Sequence, residues 1–197
     1  MEGIYHSFGK EQRMDNGAAS YHRFLAGDKE GMVELIRDYK DGLTLYLNSF
    51  VNNISIAEEL MEDTFVKLVV KKPKYQEKSS FKTWLYTVGR NVALDFLRKS
   101  SKDPSLSIDE MYNVADNEDV ESDYIKTEQN ITLHRAMQKL NPEYKQVLYL
   151  VYFENFDNAE AAEVMHKNRR QIENLIYRAK KALKTELERE GFVYEGL

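Results

Sequence analysis

Apolar side chains recur every three or four residues through most of the chain, the period of helices buried on one face. Phe24 and Leu25 lead to Asp28, a candidate N-cap, after which Met32, Val33, Leu35, Ile36 and Tyr39 keep helical spacing. A second helix takes Leu43, Leu45, Tyr46, Leu47, Phe50 and Val51 and is broken at Asn52-Asn53. Ser55, with Glu58 three residues on, reads as a capping box opening a third helix. That helix stops before Pro73, because the residue preceding a proline resists the α region. Phe81–Lys99 is a fourth, with Phe81, Trp84, Leu85, Val88, Val92 and Phe96 on one side. Thr83, Thr87, Arg90, Asn91 and Arg98 share its opposite stripe, interrupted only by Leu94.

The pattern lapses over residues 100–130, where proline, serines and acids outnumber scattered apolar residues, the composition of a linker. Helices resume from Ile131. Leu133, Met137 and Leu140 form a stripe, and Asn141-Pro142 is an N-cap followed by proline at the first helical position. Tyr144, Val147, Leu148, Val151 and Tyr152 continue that helix. Asp157 and Glu160 form another capping box, opening the short AEAAEVM helix. After a turn at His166-Lys167-Asn168, Asn168 caps a last helix with Ile172, Leu175, Ile176, Ala179 and Leu183 inward. The pattern predicts an all-α protein of two small helical domains joined by a flexible acidic linker. The segments are an extension at 1–20, a domain at 21–102, the linker at 103–130, a second domain at 131–190 and a tail at 191–197.

Composition narrows the class. The 197 residues are 42% hydrophobic and 12% aromatic, enough for packed cores. The sequence has no cysteine, which excludes disulfides, thiolate metal sites and a Cys nucleophile and fits a reducing cytoplasm. No apolar run approaches a membrane span, so no membrane insertion is expected, and the amino terminus lacks a signal-peptide core. The net charge of −5 conceals an uneven distribution: residues 64–102 carry 10 basic and 2 acidic side chains, whereas 103–130 carry 1 and 9. A basic block beside an acidic one suits a protein that meets a polyanion with one segment.

Candidate chemistry follows from these blocks. A helix face of hydroxyls, an amide and guanidiniums suits phosphates and base edges, although a solvated amphipathic face would look the same. The Lys74–Ser80 loop has an aromatic ring and hydroxyls that could hold an unstacked base, or be a plain connection. Glu58, Glu59, Glu62 and Asp63 either complement a helix dipole or offer an acidic contact to a basic partner. The two helices around residue 166 spell helix-turn-helix, with Arg170, Asn174, Arg178 and Lys181 on the outer face at i, i+4, i+8 and i+11. Four scattered histidines and the lack of a phosphate loop or nucleophile elbow argue against a metal site, a cofactor or an enzyme.

Two stretches, AEELMEDTFVKLV with FKTWLYTVGRNVALDFLRK and then Leu140–Leu187, together resemble the extracytoplasmic-function sigma factors of bacterial RNA polymerase. The resemblance implies that core RNA polymerase and promoter DNA are partners, and leaves room for an anti-sigma factor. It implies that Glu58, Glu59, Glu62, Asp63 and Phe65 dock on the polymerase. Tyr75, Lys78, Ser79, Ser80, Thr83, Trp84, Thr87, Arg90, Asn91 and Arg98 would meet the minus-ten element and trap a flipped base. Asn168, Arg169, Arg170, Gln171, Asn174, Arg178 and Lys181 would read the minus-thirty-five element. The linker would thread the polymerase cleft as an RNA mimic, or serve as a tether. His166 at the turn and Gln171-Ile172-Glu173 depart from the family's usual residues, so no promoter sequence carries over. A stand-alone helix-turn-helix regulator is the alternative, but it leaves the basic Trp84 helix without a role.

Overall fold

Nothing between Tyr39 and Leu43 breaks a helix, and the two stretches expected there run as one. The computed structural model describes residues 17–102 and 128–189. The first block has α1 (Gly17–Leu25), α2 (Glu30–Val51), α3 (Ile54–Lys71) and α4 (Phe81–Ser100). The second has α5 (Glu128–Gln138), α6 (Pro142–Leu148), α7 (Asn158–Met165) and α8 (Arg169–Arg189), with α6 continuing into a π-helical turn over Tyr149–Phe153. The fold is all-α, as the periodicity predicts; the 103–127 part of the expected linker lies outside the described residues, as do the outer parts of both termini. Helix α1 begins at Gly17, inside the stretch expected as an extension, and buries Ser20, Tyr21 and Phe24.

Caps account for most boundaries. Asp28 Oδ1 accepts the Glu30 amide at 3.0 Å, so it serves the start of α2 although the helix begins two residues later. Asn52 ends α2 in the left-handed region at φ 52°. Asn53, not Ser55, caps α3, accepting the Ile56 amide at 3.1 Å. The expected Ser55–Glu58 box is therefore not what opens this helix: Asn53 lies two residues earlier and satisfies the same orphan donors. Asn141 and Asp157 cap α6 and α7 as the sequence predicts, Asp157 with its reciprocal Glu160.

Helix α4 is buried differently from its wheel. Phe81 and Leu85 are inside, but so are Tyr86, Gly89 and Ala93, while Trp84, Val88, Val92 and Phe96 are half-buried. The small pair Gly89 and Ala93 lets α2 approach closely: a Cβ on Gly89 would lie 3.0 Å from Leu43 Cδ1. A wheel weighted by side-chain size cannot register that approach. The two blocks also touch. Helix α7 lies along α4, and the end of α6 lies against α2. Their buried apolar residues form one continuous cluster from Tyr21 to Leu187.

Candidate nucleic-acid interface

Ser80 caps α4 by accepting the Thr83 amide at 3.1 Å, and its hydroxyl lies 2.8 Å from Thr83 Oγ1. With Ser79, these form a hydroxyl cluster at the amino end of the basic helix, where the dipole is positive. The loop leading there is braced. Tyr21 donates its hydroxyl to the Pro73 carbonyl at 2.7 Å, and Tyr75 donates to the Ser79 carbonyl at 2.6 Å. The rings of Tyr21, Tyr75, Phe81 and Trp84 pack together with centroids 5.3 to 5.5 Å apart. Burial raises the Tyr21 phenol to about 12, so it remains a donor at any physiological pH.

This corrects the picture of Tyr75 as an open stacking platform. Its ring is 8% exposed, because it gains more from the aromatic cluster than from water. Thr83 also is buried rather than on an open stripe, covered by α7. Lys78, Asn91 and Arg98 are exposed, Arg98 pairing with Asp95 at 2.8 Å. Ser79, Ser80, Trp84, Thr87 and Arg90 are half-exposed, with Thr87 donating to the Thr83 carbonyl at 2.9 Å. Thus the hydroxyl cluster is drawn together at the helix start, while Asn91 and Arg98 lie more than two turns further along.

Along α3 the carboxylates of Glu59, Glu62 and Asp63 are exposed and Glu58 is half-exposed. Phe65 is 4% exposed and belongs to the core, which corrects its expected place on a contact surface. The exposed apolar side chains on that helix are instead Val66, Val69 and Val70.

Helix α8 starts with a reciprocal cap. Asn168 Oδ1 accepts the Gln171 amide at 2.9 Å, and Gln171 Oε1 accepts the Asn168 amide at 2.8 Å. The carbonyl oxygen of Gln171 is thereby engaged at home, and Arg169 pairs with Glu173 at 3.1 Å. Arg170, Asn174, Arg178 and Lys181 all face solvent, as their spacing predicts. Tyr177, 73% exposed, sits among them and was missed. Its signal was available: a large aromatic at i+3 from Asn174 on an otherwise polar stripe. Ile172, Leu175, Ala179 and Leu183 bury the opposite face.

Among the described residues, no group of three or more His, Cys, Asp or Glu side chains is placed to hold a metal ion, and no helix is long and apolar enough to cross a membrane.

Residues 35–103 match the family described as Sigma-70 region 2, and residues 131–183 match Sigma-70, region 4. The chain is similar to the ECF RNA polymerase sigma factors SigW and SigM of Bacillus subtilis. It is 25% identical to SigW, covering 82% of this chain and 91% of SigW. It is 27% identical to SigM, covering 77% and 91%. Its fold resembles the sigma factor RpoE in complex with the anti-sigma factor NepR from Bartonella quintana, with TM-score 0.62, 20% identity and coverage of 79% and 95%. It also resembles CnrH in complex with the cytosolic domain of CnrY, with TM-score 0.60, 19% identity and coverage of 87% and 94%.

Proposed function

Because the chain belongs to the extracytoplasmic-function sigma factors, the RNA polymerase subunits that direct promoter-specific transcription initiation, we propose a division of labour between its blocks. The first block, 21–102, docks on core polymerase and opens the minus-ten element. The second, 131–190, reads the intact minus-thirty-five element. The observation that carries this is the pairing of the basic 64–102 segment, from the end of α3 through α4, with an outward Arg170, Asn174 and Arg178 on α8, in the order of the two matched regions.

Docking uses the exposed acids Glu59, Glu62 and Asp63, with Glu58 at their edge and Val66, Val69 and Val70 one to two turns on. Charge steers the encounter and apolar contact holds it. Opening uses the α4 start and its polar stripe: Lys78, Ser79, Ser80, Thr87, Arg90, Asn91 and Arg98 contact the strand, with the buried Thr83 supporting Ser80. Holding one extruded base offsets a few kcal/mol of unstacking. Tyr75 and Trp84 act from beneath, as the packed floor of that site. Arg170 and Asn174 meet base edges in the major groove, while Arg169, Arg178 and Lys181 hold phosphates. Asn168 and Gln171 shape the helix start. The chain works as a DNA-binding subunit rather than as an enzyme, in the cytoplasm where the polymerase is. An anti-sigma factor is a further partner, as RpoE has in its complex with NepR.

The test is transcription by purified core polymerase on genomic DNA with this chain added. Discrete start sites should appear that core enzyme alone does not use. Arg178→Ala should weaken use of promoters with intact upstream elements, and Asn91→Ala should slow strand opening while assembly with core persists. No start site on any template would refute the assignment.

A further inference from the structure

Glu77 holds a left-handed backbone conformation, at φ 55°, where a residue with a Cβ is disfavoured. The other non-glycine residues found there, among those described, have local reasons. Asn52, Lys72 and His166 end helices, and Asn155 is of a type that tolerates the region. Glu77 ends no helix. It stands in the middle of the 73–80 loop, and its side chain reaches back to α1: His22 Nε2 lies 2.7 Å from Glu77 Oε1. An ionised carboxylate can only accept, so the imidazole donates through Nε2–H. The His22 ring also lies beside that of Tyr75, with centroids 6.4 Å apart.

Polar contacts divide the loop between them. Tyr21 holds its start at the Pro73 carbonyl, and Tyr75 holds its end at the Ser79 carbonyl. His22 takes the middle. Helix α1 can serve as the anchor because it is itself fixed to α2. Arg23 bridges Asp28 at 2.6 Å and Glu34 at 2.9 Å, and Ser20 donates to Glu34 at 2.6 Å. Gly31 lets the two backbones meet, since a Cβ there would overlap the Ser20 carbonyl. Four consecutive residues of one short helix thus grip α2 through Ser20 and Arg23, and the loop through Tyr21 and His22.

We propose that His22 is a positioning residue for promoter opening: through Glu77 it fixes the middle of the loop that frames the extruded base. The inference rests on the function proposed above and extends the opening site from α4 to α1. A disfavoured conformation persists only where its surroundings impose it, and here the His22 contact does so. A loop released at Glu77 would have to be ordered again while the base is captured, and that ordering adds to the barrier. Docking on core, whose acids lie on α3, is untouched by it.

The test uses the full-length chain with purified core polymerase, at a start site found by transcription of genomic DNA. Permanganate attack on unpaired thymines follows opening, and fluorescence anisotropy of the labelled chain follows binding to core. His22→Ala should slow opening about two- to fivefold, the weight of one exposed charge-assisted contact, with affinity for core unchanged. Glu77→Gly should slow it by a similar factor while its thermal midpoint stays close to the parent's, because relief of the left-handed strain offsets the lost contact. That combination separates a positioning role from a stabilising one. His22→Gln keeps an N–H donor and should keep most of the parent's rate. The double variant, His22→Ala with Glu77→Gly, should be no slower than either single change, since both break the same contact. Opening at the parent's rate in His22→Ala or Glu77→Gly, or multiplied effects in the double variant, overturns the proposal. So does an affinity for core that falls together with the opening rate. Absence of any start site with the parent chain would instead overturn the functional reading.

Discussion

His134 is 6% exposed on α5, and its Nδ1 lies 2.9 Å from the Tyr149 hydroxyl. Its ring packs against Tyr149 and Phe153, with centroids 5.7 and 5.5 Å away. Desolvation lowers its pKa from the ordinary 6.5 to about 4, so it is neutral in the folded chain at pH 7. Once unfolded it takes up a proton near pH 6.5. Stability is therefore full above pH 6.5 and declines as the pH falls towards 4, because over that window the unfolded chain binds the extra proton. The gap between 6.5 and about 4 sets a ceiling of roughly 3 kcal/mol. At pH 5 the loss relative to pH 8 should be about 2 kcal/mol, a large part of a small domain's stability. Urea unfolding followed by circular dichroism at pH 8, 6.5 and 5 measures it. His134→Gln keeps a hydrogen-bonding group beside Tyr149 but cannot titrate, and its acid slope over that range should be flatter by that amount. An equal slope in the two chains, or an imidazole resonance of His134 titrating at 6.5, would refute the reasoning.

Three other outcomes can be checked. Asp157→Ala removes the oxygen that accepts the Ala159 and Glu160 amides and should cost about 1 kcal/mol in unfolding experiments. Gly31→Ala would drive a Cβ into the Ser20 backbone carbonyl where α1 crosses α2. Because backbone cannot yield as a side-chain tip can, it should cost about 1 to 3 kcal/mol and expose α1 to proteolysis. Asp28 is held below its usual range chiefly by the Arg23 guanidinium, and Glu34 chiefly by the Ser20 hydroxyl and then Arg23. What those carboxylates contribute is present above their unfolded pKa values and is lost as pH falls through the lower folded ones. Amide exchange at the α1–α2 corner should therefore quicken only below about pH 4, under the histidine window.

The helices and most of their caps were readable in the sequence, because Asn141, Asp157 and Asn168 satisfy backbone donors a few residues away. Ser55 misled because Asn53 offers the same chemistry two residues earlier, and only backbone conformation decides between them. The outward residues of α8 were legible from period alone. Tyr75 and Phe65 were not: Tyr75 stands in a polar loop yet is buried among Phe81 and Trp84, and Phe65 shares an apolar run with Val66, Val69 and Val70, of which only packing against the other helices decides the buried member. The contacts of Glu154 with Lys82 and of Glu160 with Thr83 span more than 70 residues and leave no local periodic trace. Glu160 even carried a complete local explanation in the Asp157 cap, which concealed its reach to Thr83.

Under the function proposed above, the bracing of the 73–80 loop has a consequence for selectivity. A segment pinned at both ends by Tyr21 and Tyr75, on a bed of four rings, enters an encounter already in shape and surrenders little freedom on contact. Such a rim is intolerant: a strand that does not fit finds no alternative loop geometry to accommodate it. Discrimination between nucleotide sequences would then arise in how fast mismatched strands leave, not in how fast they arrive.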